Sequence, residues 1–268
     1  NKKIKKLIIF FPILIYLGKR SYLAYDSGFY ALQARWILAD KNWIIPKWWN
    51  EYLLDRTIGI QYLIAKSQSI FGENQFAAHI PTTLAAFLMI FLTYKLHEKL
   101  VDKKGAIYSC LLLSTTFIWF DFAHQATQDM IFACLVTTGL YALNKIERNK
   151  KIIFHILFGG WIGLAFMMKT FLIAVPLIGL IPAIFEKKKI INYGYFFIGL
   201  LIGFSPFIIW SLRINQFLDN NIIIYLLSKF SSLSSQNTFT NPFYYYLWNI
   251  PINFLPWSIF SFIGILLN

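Results

Sequence analysis

At 268 residues, the chain has charged side chains at 14% of positions, hydrophobic ones at 57%, and a mean hydropathy of +0.56. A soluble domain of this size carries charge at about a quarter of its residues, so the composition excludes one and points to a polytopic α-helical membrane protein. The net charge of +13 raises a nucleic-acid reading, but the lysines sit in loops beside apolar runs and form no basic face, which excludes that partner.

The chain opens NKKIKKLIIFFPILIYLGKR, a basic start and a short apolar run with no A-x-A-like cleavage site after it. We read a first span over 7–18, extending at most to about 24. The absence of an initiator Met, and an end at GILLN within or just after a span, make the sequence read as part of a longer protein. A first outer loop follows over 19–75. It mixes Asp26, Arg35, Asp40, Lys47, Glu51, Asp55 and Arg56 with Trp36, Trp43, Trp48 and Trp49. Near-balanced charge and dense aromatics suit short helices lying in the membrane interface. Taken singly, the tryptophans are explained by the aromatic belt of any membrane protein.

Further apolar runs at 76–96, 105–123, 129–146, 152–168, 170–185, 190–212 and 243–266 bring the expected spans to eight. The connections KLHEKLVDKKG, NKIERNKK and FEKKK are rich in Lys and Arg, like the opening KKIKK. Alternation puts all four on one side, which should be cytoplasmic. The other side then receives the loop 19–75, the tips HQATQD (124–129) and MMKT (167–170), and the loop 213–242. The apolar run 152–185 is too long for one span at about 1.5 Å per residue. A break at Lys169 gives two short helices whose tip should lie below the headgroups. A lysine there either snorkels outward or meets an anion such as a lipid phosphate.

Cys110 and Cys134 lie inside apolar runs, away from any metal-spaced partner, and read as small core residues. Of His79, His97, His124 and His155, only His124 falls on an outer tip. No Walker loop, GxGxxG, HExxH or GxSxG occurs. What gathers on the outer side is Asp26, Asp129, Arg56 and Lys169. A carboxylate beside a membrane can act as general base toward a hydroxyl or amine. Cations at lipid depth can hold a phosphate and stabilise its charge as it leaves. The set suits transfer of a group from a lipid phosphate, while Asp26 as an ordinary solvated loop residue is the plain alternative.

The runs YDSGFYALQARWILADKNWIIPKWW and YLLDRTIGIQYLIAKSQSIFGENQFAAHIP resemble the first outer loop of the dolichyl-phosphate-mannose protein mannosyltransferase superfamily, which includes the lipid A aminoarabinose transferases. ATQDM, GLAFMMKTF and PFYYYLWNIPINFLPW continue the resemblance in order. It implies a type-C glycosyltransferase fold, here a single domain over 1–268, and an inverting enzyme that uses a polyprenyl-phosphate-linked sugar donor. By the same resemblance Asp26 is the acidic residue at the start of the loop, the family's catalytic acid, Tyr30 the tyrosine four residues on, and Asp129 the second acidic position; on our reading Asp26 would deprotonate the acceptor. Asp55 and Arg56 fall on the acid and lysine of the family's K-P-P region, which contacts donor phosphate. Lys169 falls on the lysine of a K-G turn, and Tyr245, within Tyr244–Tyr246, on an aromatic cluster near the lipid.

The chain departs from that pattern at Ser27, where Glu is usual, at Phe29, where Arg is frequent, and at Arg56-Thr57-Ile58, which lacks both prolines. Arginine still offers a forked phosphate donor. With the second acid absent at Ser27, the case for a divalent metal weakens without closing, and no nucleotide site is needed. The expected protein is an inner-membrane glycosyltransferase, hexosyl or pentosyl, with its site facing outward. Its acceptor is a protein, a glycolipid or a glycan of the cell envelope, and its surroundings are membrane lipids. A transporter or flippase of a lipid-linked substrate, and a degenerate non-catalytic relative, are the rival readings.

Overall fold

The computed structural model describes residues 8–23, 26–49, 51–54, 56–148, 151–217, 221–235 and 241–267. After a 3₁₀ turn at Ile8–Phe10, the helices are α1 (Phe11–Leu14), α2 (Ser27–Asp40), α3 (Gly59–Phe71), α4 (Gln75–Leu100), α5 (Lys103–Thr115), α6 (Phe117–Ala123), α7 (Gln128–Arg148), α8 (Ile152–Lys169), α9 (Ala174–Lys187), α10 (Tyr193–Ile214), α11 (Ile222–Ser235), α12 (Phe243–Asn253) and α13 (Trp257–Leu267). Two-residue strands β1 (Lys47–Trp48) and β2 (Glu51–Tyr52) pair antiparallel between α2 and α3. The fold is an all-α membrane bundle with two short helices, α2 and α3, at one end.

Polar caps start the long helices. Asn74 accepts from the Ala77 N–H at 2.8 Å to begin α4, Asp102 from Gly105 to begin α5, and Asn192 from Gly194 and Tyr195 to begin α10. By length and apolarity, Gln75–Leu100, Ile152–Lys187 and Tyr193–Ile214 can each cross a membrane. Among the described residues, two bent helix pairs raise the number to five if each pair is one span: α5 with α6, at 68°, and α12 with α13, at 109°. The protein is therefore a multi-pass membrane protein. The run 243–266, expected as one straight span, is instead sharply broken at 254–256. Pro256 has no N–H to continue a helix and restricts Leu255 before it. That corner sits on the α5–α6 break, where Phe117 N–H donates to the Leu255 carbonyl at 2.9 Å and Trp257 Nε1 to Thr115 Oγ1 at 2.9 Å.

The 36 residues of Ile152–Lys187 would measure about 54 Å as one straight helix. They fold back instead. Lys169 pairs with Asp129 at the start of α7, whereas Lys187 pairs with Glu147 near its end. The Tyr141 and Phe154 rings, 6.2 Å apart, put the start of α8 at that same far end. The reversal falls at Thr170, whose φ is 48°. A β-branched side chain is strained in that region, where glycine is at ease. Thr170→Gly is expected to raise stability by about 1 kcal/mol, seen as a higher midpoint in thermal unfolding; a lower midpoint would show the turn unstrained.

The closest packing in the bundle joins α8 to α10. Gly159 and Gly163 face Gly199 and Gly203 in two G-x-x-x-G repeats, a spacing that lets membrane helices meet backbone to backbone. A Cβ added at Gly159 would lie 2.0 Å from the Phe196 carbonyl oxygen, and one at Gly203 would lie 2.1 Å from that of Gly160. The seam fixes the height of the α8 C-terminus, and so of Lys169. The hydrogen bond from Thr82 Oγ1 to the Thr127 carbonyl holds the start of α4 beside that of α7. Lys95, Lys103, Lys145 and Lys187 are thereby gathered at one end of the bundle. Asp26, Arg56, Asp129 and Lys169 are at the other.

Candidate functional site

Asp26 directly precedes α2, and its carboxylate is exposed and makes no capping bond to the helix. The turn before it is held by others. Leu23 N–H donates to Ser27 Oγ at 2.8 Å, and Gly28 N–H to the Leu23 carbonyl at 2.9 Å. Ser27, standing where the family resemblance expects Glu, thus builds the turn that presents Asp26. One helical turn on, Tyr30 is buried, with the Arg56 guanidinium 5.5 Å from its ring centroid. This cation–π contact sets Arg56 one aromatic ring from the Asp26 turn. Phe29, in the place of the family's arginine, packs between Tyr30 and Trp48, with centroids 5.7 and 4.7 Å away.

The stretch directly after Arg56 has no prolines to stiffen it, and side chains from distant helices brace the loop instead. Tyr225 on α11 donates its hydroxyl to the Leu54 carbonyl at 2.6 Å, and Trp210 on α10 donates to the Ile44 carbonyl at 2.7 Å. Gln61 donates to Gln33 at 2.9 Å in the buried seam between α2 and α3. Thr57 and Ile58, each 1% exposed, anchor the chain just after Arg56. None of these tethers was foreseen from sequence, since partners 166 and 171 residues apart leave no local spacing to read.

Gly59 then opens α3 directly against the end of α8, where an added Cβ would be 2.3 Å from the Met167 carbonyl oxygen. Two residues further lies Lys169, ion-paired to Asp129 and 5.9 Å from the Phe132 ring centroid. Asp26, Tyr30 and Arg56 thus form one group, Lys169 and Asp129 a second, and the Gly59–Met167 contact joins them. Asp129 is committed to the lysine. Tyr245 is placed differently: its hydroxyl accepts from Asn249 at 2.9 Å, and its ring packs on Tyr246 and Trp248, all on its own helix. Asp55 lies outside the described residues.

An apolar cavity of about 450 Å³ adjoins the junction. Gly59 and Tyr62, Leu164 and Met168, and Ile209 and Arg213 line it from α3, α8 and α10. Among the described residues no three His, Cys, Asp or Glu side chains gather as metal ligands. What remains is an exposed carboxylate, two held cations and an apolar slot at one end of a membrane bundle.

The chain is similar to known proteins over nearly its whole length. Residues 55–210 match the family model described as dolichyl-phosphate-mannose-protein mannosyltransferase. The undecaprenyl phosphate-alpha-4-amino-4-deoxy-L-arabinose arabinosyl transferase of Photorhabdus laumondii is 25% identical over 264 residues, which is 94% of this chain and 47% of the relative. A second such transferase, from Proteus mirabilis, is 26% identical over 94% of this chain and 48% of its own length. The chain therefore spans about half the length of the relatives it matches. The crystal structures of ArnT from Cupriavidus metallidurans, apo and bound to undecaprenyl phosphate, superpose with a TM-score of 0.78 over 95% of this chain and 48% of ArnT. At 16% identity that likeness speaks for the fold alone. With the family model covering more than half of its residues, the chain belongs to the dolichyl-phosphate-mannose-protein mannosyltransferase family.

Proposed function

We propose that the chain forms the catalytic half of an inverting membrane glycosyltransferase, moving a sugar from a polyprenyl-phosphate donor to an acceptor on the non-cytoplasmic side. The observation that carries this reading is the convergence of Asp26, Arg56 and Lys169 at one end of the bundle, beside an apolar cavity. Asp26, free of capping duty, takes the proton of an acceptor hydroxyl or amine as that atom attacks the anomeric carbon. The bond from that carbon to the phosphate oxygen breaks, and the electron pair leaves with the polyprenyl phosphate. Arg56 and Lys169 meet the charge that develops there. The cavity accommodates the first isoprene units. Asp129 holds Lys169 in place rather than serving as a second acid.

The names of the relatives support a 4-amino-4-deoxy-pentose on undecaprenyl phosphate as donor, hence pentosyl transfer. The lysine-rich end of the bundle supports a cytoplasmic orientation for that end, and so an outward-facing site.

Transfer from a radiolabelled panel of polyprenyl-phosphate sugars to membrane acceptors tests the proposal in the full-length protein. Asp26→Asn is expected to lower transfer at least about 100-fold, with folding and expression unchanged. Undiminished transfer by Asp26→Asn would remove Asp26 as the base.

A further inference from the structure

His124 closes α6 and is 4% exposed. Both of its ring nitrogens meet backbone carbonyls. Nδ1 lies 2.7 Å from the Phe120 oxygen, one turn back in its own helix, and Nε2 lies 3.1 Å from the Ile13 oxygen on α1. A carbonyl only accepts, and a neutral imidazole carries one N–H and one bare nitrogen. In either tautomer, therefore, a nitrogen lone pair would be turned on an oxygen lone pair in a nearly closed site. The imidazolium, with an N–H on each side, satisfies both oxygens at once. Burial opposes its charge. The C-terminal end of a helix favours it, and so do two charge-assisted hydrogen bonds.

The titratable and charged groups around the ring are Tyr16, Lys19, Arg20 and Asp121, in the wall of the same cavity of about 420 Å³, and His79 on α4. Asp121 is already engaged. Arg20 donates to its carboxylate at 2.5 Å and to its backbone carbonyl at 3.0 Å, and Gln125 donates to its other carboxylate oxygen at 2.6 Å. His79 Nδ1 lies 2.6 Å from the Gln75 carbonyl oxygen. What α6 holds through these contacts is the stretch that leads to the Asp26 turn. That stretch is irregular after α1, with φ of 56° at Tyr16 and 68° at Gly18. Ile13 is tied at one end through His124, and Arg20 at the other through Asp121. Only the first tie runs through a residue type that changes charge between about pH 5 and pH 8.

We propose that His124 is a pH-sensitive latch, tying Ile13 to α6 while both ring nitrogens are protonated and releasing it when one is bare. The sign follows from the proton count: the latch is closed on the acid side and loosens as pH rises. It acts on the chain that carries Asp26, and it stands whether or not Asp26 serves sugar transfer.

The test uses no substrate. The full-length protein in detergent, with ¹⁵N in its histidine rings, is titrated from about pH 5 to about pH 8. The His124 signals are those missing from His124→Gln, whose amide can donate to one carbonyl but does not titrate. Both His124 nitrogens are expected to be protonated at the acid end and one to be bare at the other. Hydrogen exchange is followed at Ile15, Leu17 and Lys19, whose N–H groups bond within the tied stretch. It is expected to be about tenfold slower than in His124→Gln at the acid end, the equivalent of one hydrogen bond, and equal to it at the other. A bare His124 nitrogen at the acid end would overturn the proposal. So would loss of the second proton with no change in the exchange ratio. Should His124→Gln fail to fold, elimination with His79→Gln, His97→Gln and His155→Gln assigns the signals, and wild-type exchange corrected to free-peptide rates gives the same reading.

Discussion

Gly203→Leu is expected to prevent the bundle from assembling. The Cβ of any residue at 203 would lie 2.1 Å from the Gly160 carbonyl oxygen and 2.8 Å from its carbonyl carbon. Backbone atoms cannot rotate away as a side-chain tip can, so α8 and α10 would have to separate. Gly163 and Gly199, with equally close backbone contacts, make the separation run along the whole seam. Overpacking by a methylene or two in an ordinary core costs about 1–3 kcal/mol, and here the packing of two entire helices is at stake. The loss should exceed that range and appear as aggregation on gel filtration with no cooperative thermal transition. Even Gly203→Ala should lower the midpoint. Gly179 is the control: nothing lies within 4 Å of a Cβ placed there, so Gly179→Ala should leave the protein unchanged or stabilise it by up to about 1 kcal/mol. Equal tolerance at both positions would mean that the helices do not meet at glycine.

The sequence made the class of fold plain, because nothing but a membrane houses so many apolar runs separated by lysine clusters. It also placed the break at Lys169, since a 36-residue apolar helix is too long for the bilayer and one charge interrupts it. The two G-x-x-x-G repeats were written in it as well, although hydropathy alone is blind to them: glycine registers as a mild apolar residue and not as a place where backbones touch. The site was legible only in part. Asp26, Arg56 and Lys169 stand out as charges between the apolar runs, but that Asp129 is bound to Lys169 depends on the height at which α7 and α8 pack. The tethers from Trp210 to Ile44 and from Tyr225 to Leu54 replace the stiffness that prolines directly after Arg56 would give the loop. They depend on the path of the entire chain, which no window of residues contains. The bend at 254–256 had Pro256 as its sign, yet an apolar run looks the same straight or broken.

Asp129 and Lys169 should prove energetically coupled, with Asp129 acting on the reaction only through the lysine. Each sits at the helix end that suits its charge. Asp129 is in the first turn of α7, where the helix dipole favours an anion, and Lys169 ends α8, where it favours a cation. Their side chains are 32% and 19% exposed, so the pair is neither fully desolvated nor freely hydrated. Breaking a fully buried pair costs about 3–5 kcal/mol and an exposed one under about 1. Lys169→Met is expected between these, at about 1–3 kcal/mol, because it strands the carboxylate. Asp129→Asn should cost less, since the lysine stem can carry its charge outward. The double variant should recover at least about 1 kcal/mol of the summed loss in a thermal-unfolding cycle. Kinetics then separates the roles. If Asp129 positions the phosphate-binding lysine, Asp129→Asn raises KM for the donor several-fold and leaves the pH profile of kcat as it was. An Asp129 that removed the acceptor proton would instead lower kcat by about 100-fold or more and erase its acidic limb. That second pattern would return Asp129 to the reacting atoms and leave Arg56 as the chief holder of the phosphate.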